Sequence, residues 1–71
     1  MNKVKEEKSQ FVKELSELLS KYGVFQVKNI EYSDEVYEET LIVELQSGAK
    51  VNVNVTYDSL DMMLKDLVKG I

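Results

Sequence analysis

The hydrophobic period of the chain changes twice along its length, and these two changes constrain the fold more than any other feature. Apolar residues recur at spacings of three, four and seven in the first 22 residues, at every second position through the middle, and at helical spacing again from residue 60. The outer patterns are typical of amphipathic helices, and the middle pattern is typical of strands with one buried face. The sequence therefore predicts a helix at each end and a sheet between them.

Both predicted helices have an apolar stripe and a recognisable end. The stripe of the first consists of Val4, Phe11, Leu15, Leu18, Leu19 and Tyr22. Gly23 follows it, where a left-handed C-terminal cap is expected, and the Lys- and Glu-rich residues 1–8 are expected to fray. The stripe of the second consists of Leu60, Met63, Leu64, Leu67, Val68 and Ile71. Asp58 or Ser59 is its expected N-cap, and Gly70 ends it.

The clearest strand pattern lies in a hairpin near the middle of the chain. Alternating core-face positions are Leu41, Val43 and Leu45 before the turn, and Val51, Val53, Val55 and Tyr57 after it. Gln46-Ser47-Gly48 is expected to form a three-residue loop with Gly48 in the left-handed conformation. This loop pairs Val43 with Val51 and Leu41 with Val53, which puts all four side chains on one face of the sheet.

The strand that precedes the hairpin has an irregular alternation. Phe25 and Val27 have one parity, whereas Ile30 and Tyr32 have the other. A β-bulge near Lys28-Asn29 would bring all four to the core face, because one extra residue resets the alternation. Residues 33–35 are expected to supply the turn into the next strand.

These elements predict a single α+β domain over residues 1–71 with the order αβββα. We expect two layers, a three-stranded antiparallel meander with both helices on one face, and the other sheet face open to water. A chain of 71 residues has little core to spare for enclosing a substrate. Such a domain is expected to present a surface rather than a deep pocket.

Composition excludes several classes of function. The chain contains no Cys and no His, so a disulfide framework, a thiolate or imidazole metal site and a Cys- or His-dependent catalytic group are excluded. The remaining carboxylates and serines have no catalytic or metal-binding spacing, so we expect neither enzymatic activity nor a cofactor. Apolar runs are no longer than three residues, which predicts a soluble, cytoplasmic protein without a membrane partner.

Acidic residues are concentrated in one part of the chain. The formal net charge is −4, and residues 31–46 carry six carboxylates and no Lys. On the predicted sheet Glu31 and Glu38 face each other on the open side, and Glu44 pairs with Lys50. Ile42 is expected to be exposed in the middle of this polar face. The acidic surface either keeps the protein solvated or attracts a basic partner. The candidate partner-binding residues are Glu31, Asp34, Glu35, Tyr37, Glu38, Thr40, Ile42, Asn52 and Asn54.

The order αβββα and the length resemble those of double-stranded RNA-binding domains. In that family the start of the second helix carries lysines that grip phosphates, whereas here it reads Asp58-Ser59-Leu60-Asp61. We therefore expect no binding to nucleic acid. In size, acidity and element order the chain also resembles small acidic proteins of bacteriophages and mobile elements, including anti-CRISPR inhibitors. That resemblance implies stoichiometric binding, and nine Lys without Arg are suggestive of an AT-rich bacterial or phage genome.

The sequence thus predicts a non-enzymatic module that binds a protein with a basic surface through its acidic hairpin and open sheet face. Two alternatives remain at this point. One is a structural homodimer formed through the open face or an edge strand, and the other is a small accessory subunit of an enzyme complex.

Overall fold

Two helices flank a three-stranded sheet along the chain, in the predicted order αβββα. The computed structural model describes residues 3–71, with side chains from residue 6 onward. The elements are α1 (Lys3–Tyr22), a short 3-10 turn (Val24–Gln26), β1 (Val27–Asp34), β2 (Glu39–Leu45), β3 (Lys50–Asn54) and α2 (Leu60–Gly70). The side chain of Val4, a predicted stripe position, lies outside the described side chains. Residues 1 and 2, the first two of those expected to fray, lie outside the described chain. No helix in the described part of the chain is both long and apolar enough to cross a membrane.

The sheet is an antiparallel meander with strand order β1-β2-β3. Val43 pairs with Val51 and Leu41 with Val53, which confirms the predicted hairpin register. The Leu45 N–H donates to the Ala49 carbonyl at 2.8 Å and closes the three-residue loop. Gly48 has a φ of 93°, the left-handed conformation that this loop requires.

The predicted bulge in β1 is present, but the strand begins later than predicted. The register shifts between Val27 and Asn29, and this shift brings both Val27 and Ile30 into the core. The placement of Phe25 in the core is wrong, because Phe25 is 51% exposed. The chain leaves α1 through Gly23 and then passes Phe25 and Gln26 in left-handed conformations, so extended structure starts only at Val27.

Both helices pack on the same face of the sheet and share one core. Its buried apolar residues are Val12, Leu19, Val27, Ile30, Leu41, Val43, Val53, Val55, Met63 and Leu67. Ser59 is the N-cap of α2, since its side chain accepts a hydrogen bond from the Met62 N–H. Of the two expected N-cap residues, Ser59 therefore has that role.

The sheet covers less of each helical stripe than the sequence predicts. Leu18, Tyr22, Leu64 and Val68 are 53%, 67%, 41% and 48% exposed, so their placement in the core is wrong. The cause is the width of the sheet, because α1 packs mainly on β1 and α2 mainly on β3. Each helix buries only the side that faces its strand, and the flank next to that side remains in contact with solvent.

Replacement of Val53 by Ala is expected to lower the free energy of unfolding by about 1–3 kcal/mol, because it removes buried methyl groups and leaves a cavity. Val53 is 7% exposed and lies directly beneath Gly70 of α2. The measurement is urea unfolding followed by circular dichroism. Val36→Ala is the matched control, since Val36 is 83% exposed and its variant should remain as stable as the parent. Equal stability of Val53→Ala and the parent would contradict the packing described.

Candidate functional site

A charged pair lies inside the protein at the end of the sheet where β1 turns into β2. Glu39, the first residue of β2, is 6% exposed and shares the core-face parity of Leu41. Lys8 of α1 is equally buried, and its Nζ lies 2.8 Å from Oε1 of Glu39. A buried carboxylate and a buried ammonium group are each costly to remove from water, so each requires the other.

Glu39 accepts further hydrogen bonds from two other parts of the fold. The Tyr32 hydroxyl of β1 donates to Oε1 at 2.6 Å, and the Tyr57 backbone N–H donates to Oε2 at 3.1 Å. The Glu39 main chain is paired as well, because its N–H donates to Oγ1 of Thr56 and its carbonyl accepts from the Val55 N–H. One residue therefore ties α1, β1 and the segment after β3 to the start of β2.

These contacts determine the ionisation of the cluster. Burial by itself raises the pKa of Glu39, but the hydrogen bonds from Lys8, Tyr32 and Tyr57 and the charge of Lys8 outweigh it and lower the pKa to about 2. Burial and the hydrogen bond to the Glu39 carboxylate raise the pKa of Tyr32 well above its usual range. At neutral pH Glu39 is therefore charged, and Tyr32 keeps the proton that it donates.

A second carboxyl group near this pair is less well accommodated. Oδ2 of Asp58 is buried and has no hydrogen-bond donor in the described part of the chain. The neighbouring Asp66 carboxylate can accept a hydrogen bond but cannot supply one while it is charged. Burial first, and then the Asp66 carboxyl, raise the pKa of Asp58 to about 6, with Glu39 adding to the effect and Lys8 opposing it. Asp58 therefore packs inward beside Asp66 and does not cap α2.

Tyr57 is held in an unusual conformation next to Asp58. The Asp58 N–H donates to the Val55 carbonyl at 3.0 Å, and Tyr57 occupies the third position of this turn with a φ of 64°. Gly or Asn normally takes that position, because a side chain is strained there. The predicted place of Tyr57 on the core face is wrong, since its side chain is 89% exposed. The hydrogen bond from its N–H to Glu39 stabilises the turn.

These residues surround an open pocket of about 450 Å³. Its lining consists of Lys8, Glu35, Val36, Tyr37, Glu38, Glu39, Thr56, Tyr57, Asp58 and Ser59. We call residues 35–38 and 56–59 the tip. Val36, Tyr37 and Tyr57 are 83%, 87% and 89% exposed, so the tip presents three large apolar side chains to solvent above a buried charged floor.

The structure separates the candidate residues of the sequence into two groups. Glu35, Tyr37 and Glu38 lie at the tip, where the Glu35 N–H donates to the Glu38 carbonyl at 2.8 Å. Asp34 ends β1 and pairs with Glu39 of β2. The other candidates lie in the sheet, and they are Glu31, Thr40, Ile42, Asn52 and Asn54.

The predicted contact between Glu31 and Glu38 is wrong. Glu31 pairs with Ile42, and Glu38 lies in the turn rather than in β2. The difference arises because β1 continues to Asp34, which moves the turn from the predicted residues 33–35 to residues 35–38.

The open face of the sheet offers less to a partner than the sequence suggests. Ile42 is half-buried rather than exposed, between Glu31 on one side and Asn52 on the other. Glu44 pairs with Lys50 as predicted. Oδ1 of Asn54 accepts a hydrogen bond from the Thr56 N–H, so that side chain already stabilises the turn that presents Tyr57.

Sequence reasoning missed the residues that form the floor of the pocket. Two signals were available, since Glu39 continues the alternation of the apolar core-face residues in β2 and Lys8 stands four residues before Val12. An acid and a base at core-facing positions of two elements are typical of a buried ion pair. No comparable signal marked Asp58, because its position before a helix is equally typical of a capping residue.

Metal binding and similarity to known proteins add no assignment. Within the described residues, no group of three or more acidic side chains is arranged to hold a metal ion. The chain matches no protein-family model, no curated protein and no solved structure.

Replacement of Glu39 by Gln is expected to lower the free energy of unfolding at pH 7 by about 3 kcal/mol, because it leaves the buried Lys8 charge without its counter-ion. Glu39 has a lower pKa in the folded protein than in the unfolded chain, about 2 against 4.5. Its contribution is therefore complete above pH 4.5 and is lost as the pH falls towards 2. Urea unfolding between these pH values should show a smaller acid-dependent loss in Glu39→Gln than in the parent. Glu38→Gln is the matched control and should change the stability by less than about 0.5 kcal/mol.

Replacement of Asp58 by Asn is expected to raise the free energy of unfolding, in contrast to Glu39→Gln. The pKa of Asp58 rises from 3.8 to about 6 on folding, so stability is lost as the pH rises from 3.8 to 6, and the full cost of the Asp58 charge is present above this range. An amide at this position donates a hydrogen bond to Asp66 without carrying a charge. Asp58→Asn should therefore be more stable than the parent by about 2 kcal/mol above pH 7 and nearly equal to it below pH 4. Asp61→Asn, which changes an exposed acid in the first turn of α2, should show no such gain. A uniform loss of stability at every pH would contradict the placement of Asp58.

Proposed function

We propose that the protein is a non-catalytic binding module whose tip accepts a basic side chain from a partner protein. The observation that carries this proposal is the exposure of Val36, Tyr37 and Tyr57 around one pocket. Single exposed apolar residues are common on protein surfaces, but three that converge on one concave site are typical of an interaction surface.

The conformation of Tyr57 supports a role in recognition. A tyrosine in the left-handed region costs folding free energy that Gly or Asn would not, and this ring recovers none of it through burial. Tyrosine has a large apolar ring with a polar end and few rotatable bonds, which makes it a frequent anchor in protein interfaces. A contact with a partner would offset the cost of its conformation.

The charges of the tip favour a basic rather than an acidic partner. Among the described side chains, Lys8 is the one cation that lines the pocket, and it is buried and already paired with Glu39. Glu35 and Glu38 are exposed at the rim, and residues 31–46 contain no Lys. A Lys or Arg side chain placed between the Tyr37 and Tyr57 rings would meet these carboxylates and gain a cation–π contribution.

The buried cluster suits the floor of such a site. Glu39 holds the Tyr57 turn through the backbone N–H, and Lys8 anchors Glu39 to α1. The polar groups under the rim are thereby fixed in position before a partner arrives, and this arrangement reduces the entropy cost of binding. In this proposal the acidic hairpin contacts the partner only through residues 35–38, and the open sheet face has a minor role.

Replacement of Tyr57 by Asn is expected to weaken binding of basic peptides and to leave the protein folded, since Asn tolerates a φ of 64°. The measurement begins with a phage-displayed peptide library selected on the parent protein. Peptides with Lys or Arg next to an apolar residue should be enriched, and the selected peptides are then titrated against parent and variant by calorimetry. We expect an affinity loss of about tenfold or more, as for an interface anchor.

Tyr22→Asn is the matched control, because Tyr22 is also exposed but lies at the end of α1 away from the tip. Its affinity for the selected peptides should equal that of the parent. Enrichment of acidic peptides, or equal binding by Tyr57→Asn and the parent, would contradict the proposal.

A further inference from the structure

Helix α1 carries an apolar flank that the rest of the chain covers only in part. Phe11, Leu15 and Leu18 form this flank, and each stands one residue before a buried position of the same helix, namely Val12, Ser16 and Leu19. Phe11 and Leu15 are half-buried against the core, and Leu18 is 53% exposed. One residue turns a helix by about 100°, so the flank lies beside the buried side rather than opposite it. The other side of α1 forms a shallow groove with β1, where Lys13 and Glu17 lie near Asn29. The apolar flank is therefore turned towards α2.

Helix α2 has the corresponding flank on its opposite side. Leu64 and Val68 stand one residue after the buried Met63 and Leu67, and they are 41% and 48% exposed. The other side of α2 borders the outer edge of β3, where Asp66 and Lys69 lie near Asn52 and Asn54. Leu64 and Val68 are therefore turned towards α1. We call Phe11, Leu15, Leu18, Leu64 and Val68 the helical groove.

The charges beside the helical groove differ in sign between the two helices. On α1, Glu14 is the charged residue that lines a surface pocket with Phe11, Leu15 and Leu18. On α2, Lys65, Asp66 and Lys69 line a surface pocket with Leu64 and Val68, so its two Lys and one Asp leave an excess of one positive charge. Glu14 accepts a hydrogen bond from Gln10, and within the described side chains neither it nor Lys65 forms a salt bridge. Each helix thus presents an apolar surface whose charge complements that of the other helix.

We infer that a second copy of this chain covers the helical groove. A two-fold axis along the groove would place α1 of each copy on α2 of the other, because rotation about that axis exchanges the two sides. The dimer then contains two equivalent contacts, and in each the apolar flank of α1 from one copy packs on the apolar flank of α2 from the other. At each contact Glu14 lies next to Lys65 of the second copy. Packing of α1 on α1 would instead bring Glu14 of one chain close to Glu14 of the other, so that two like charges would face each other.

The other surfaces of the chain are less suited to such a contact. A standard interface buries about 800 Å² of each partner. The five-residue edge of β3 is too short to supply such an area, and the open sheet face is mainly polar. The helical layer carries the exposed apolar side chains Leu18, Leu64 and Val68, which are 53%, 41% and 48% exposed. This contact leaves the tip free, so it is independent of the proposed function.

Sedimentation equilibrium of the full chain over a range from micromolar to millimolar concentration tests the inference. We expect the mass to rise from 8.2 kDa to twice that value as the concentration increases. Leu18→Glu should remain monomeric throughout this range, with an unchanged helical circular dichroism spectrum. Val36→Glu is the matched control, since it adds the same charge at the tip, and it should dimerise like the parent.

Charge reversal tests the arrangement of the helices. Glu14→Lys and Lys65→Glu should each weaken the dimer by about tenfold or more, because either change creates two like-charged contacts. The double variant Glu14→Lys/Lys65→Glu should restore an affinity close to that of the parent. Failure of the double variant to recover would overturn the packing of α1 on α2.

Two further outcomes would overturn the inference as a whole. One is a parent protein that stays monomeric at every concentration, whether or not it binds anionic lipid vesicles or another protein through Leu18. The other is a dimer that Leu18→Glu leaves intact, since its interface would then lie elsewhere. Tyr57→Asn should dimerise normally, so failure at the tip and failure at the helical groove are distinguishable.

Discussion

The buried pair of Lys8 and Glu39 is the interaction on which the tip end of the structure depends. A hydrophobic pair at these positions would fill the same space at a lower desolvation cost, so stability alone does not account for the charges. Glu39 differs from an apolar residue in accepting hydrogen bonds from three directions, through Lys8, Tyr32 and the Tyr57 backbone. These hydrogen bonds determine how α1, β1 and the turn at residues 55–58 are arranged around the start of β2. The pair therefore stabilises one arrangement of the tip against other packings of the same apolar surface.

Strain and unfavourable charge are concentrated around this pair. Tyr57 adopts a left-handed conformation, and Asp58 buries a carboxyl oxygen next to Asp66. Both features are costly in a small domain with only ten buried apolar residues among the described side chains. Their position beneath an exposed apolar rim is typical of a functional site, where local stability is sacrificed to hold groups in place.

The helical layer shows a second consequence of the small size of the fold. Three strands give a sheet on which two helices can rest, each over an edge strand, but they do not provide enough surface to bury both helical stripes. Leu18 and Val68 are therefore apolar residues in the correct period for a core but outside the core of a single chain. Their periodicity agrees with burial in a dimer, in which a second helical layer takes the place of solvent.

The order of the elements, the register of the hairpin from Leu41 to Val53 and the bulge before Ile30 were predictable from the sequence. Each of these follows from contacts between near neighbours, in which side-chain period and turn geometry must agree. The position of α1 along the sheet depends on the packing of the complete fold, and with it the contact between Lys8 and Glu39, which stand 31 residues apart. The same packing decided the exposure of Tyr57 and the burial of Asp58. A residue's alternation or helical spacing indicates which side it faces, but the width of the opposing layer determines whether anything covers that side.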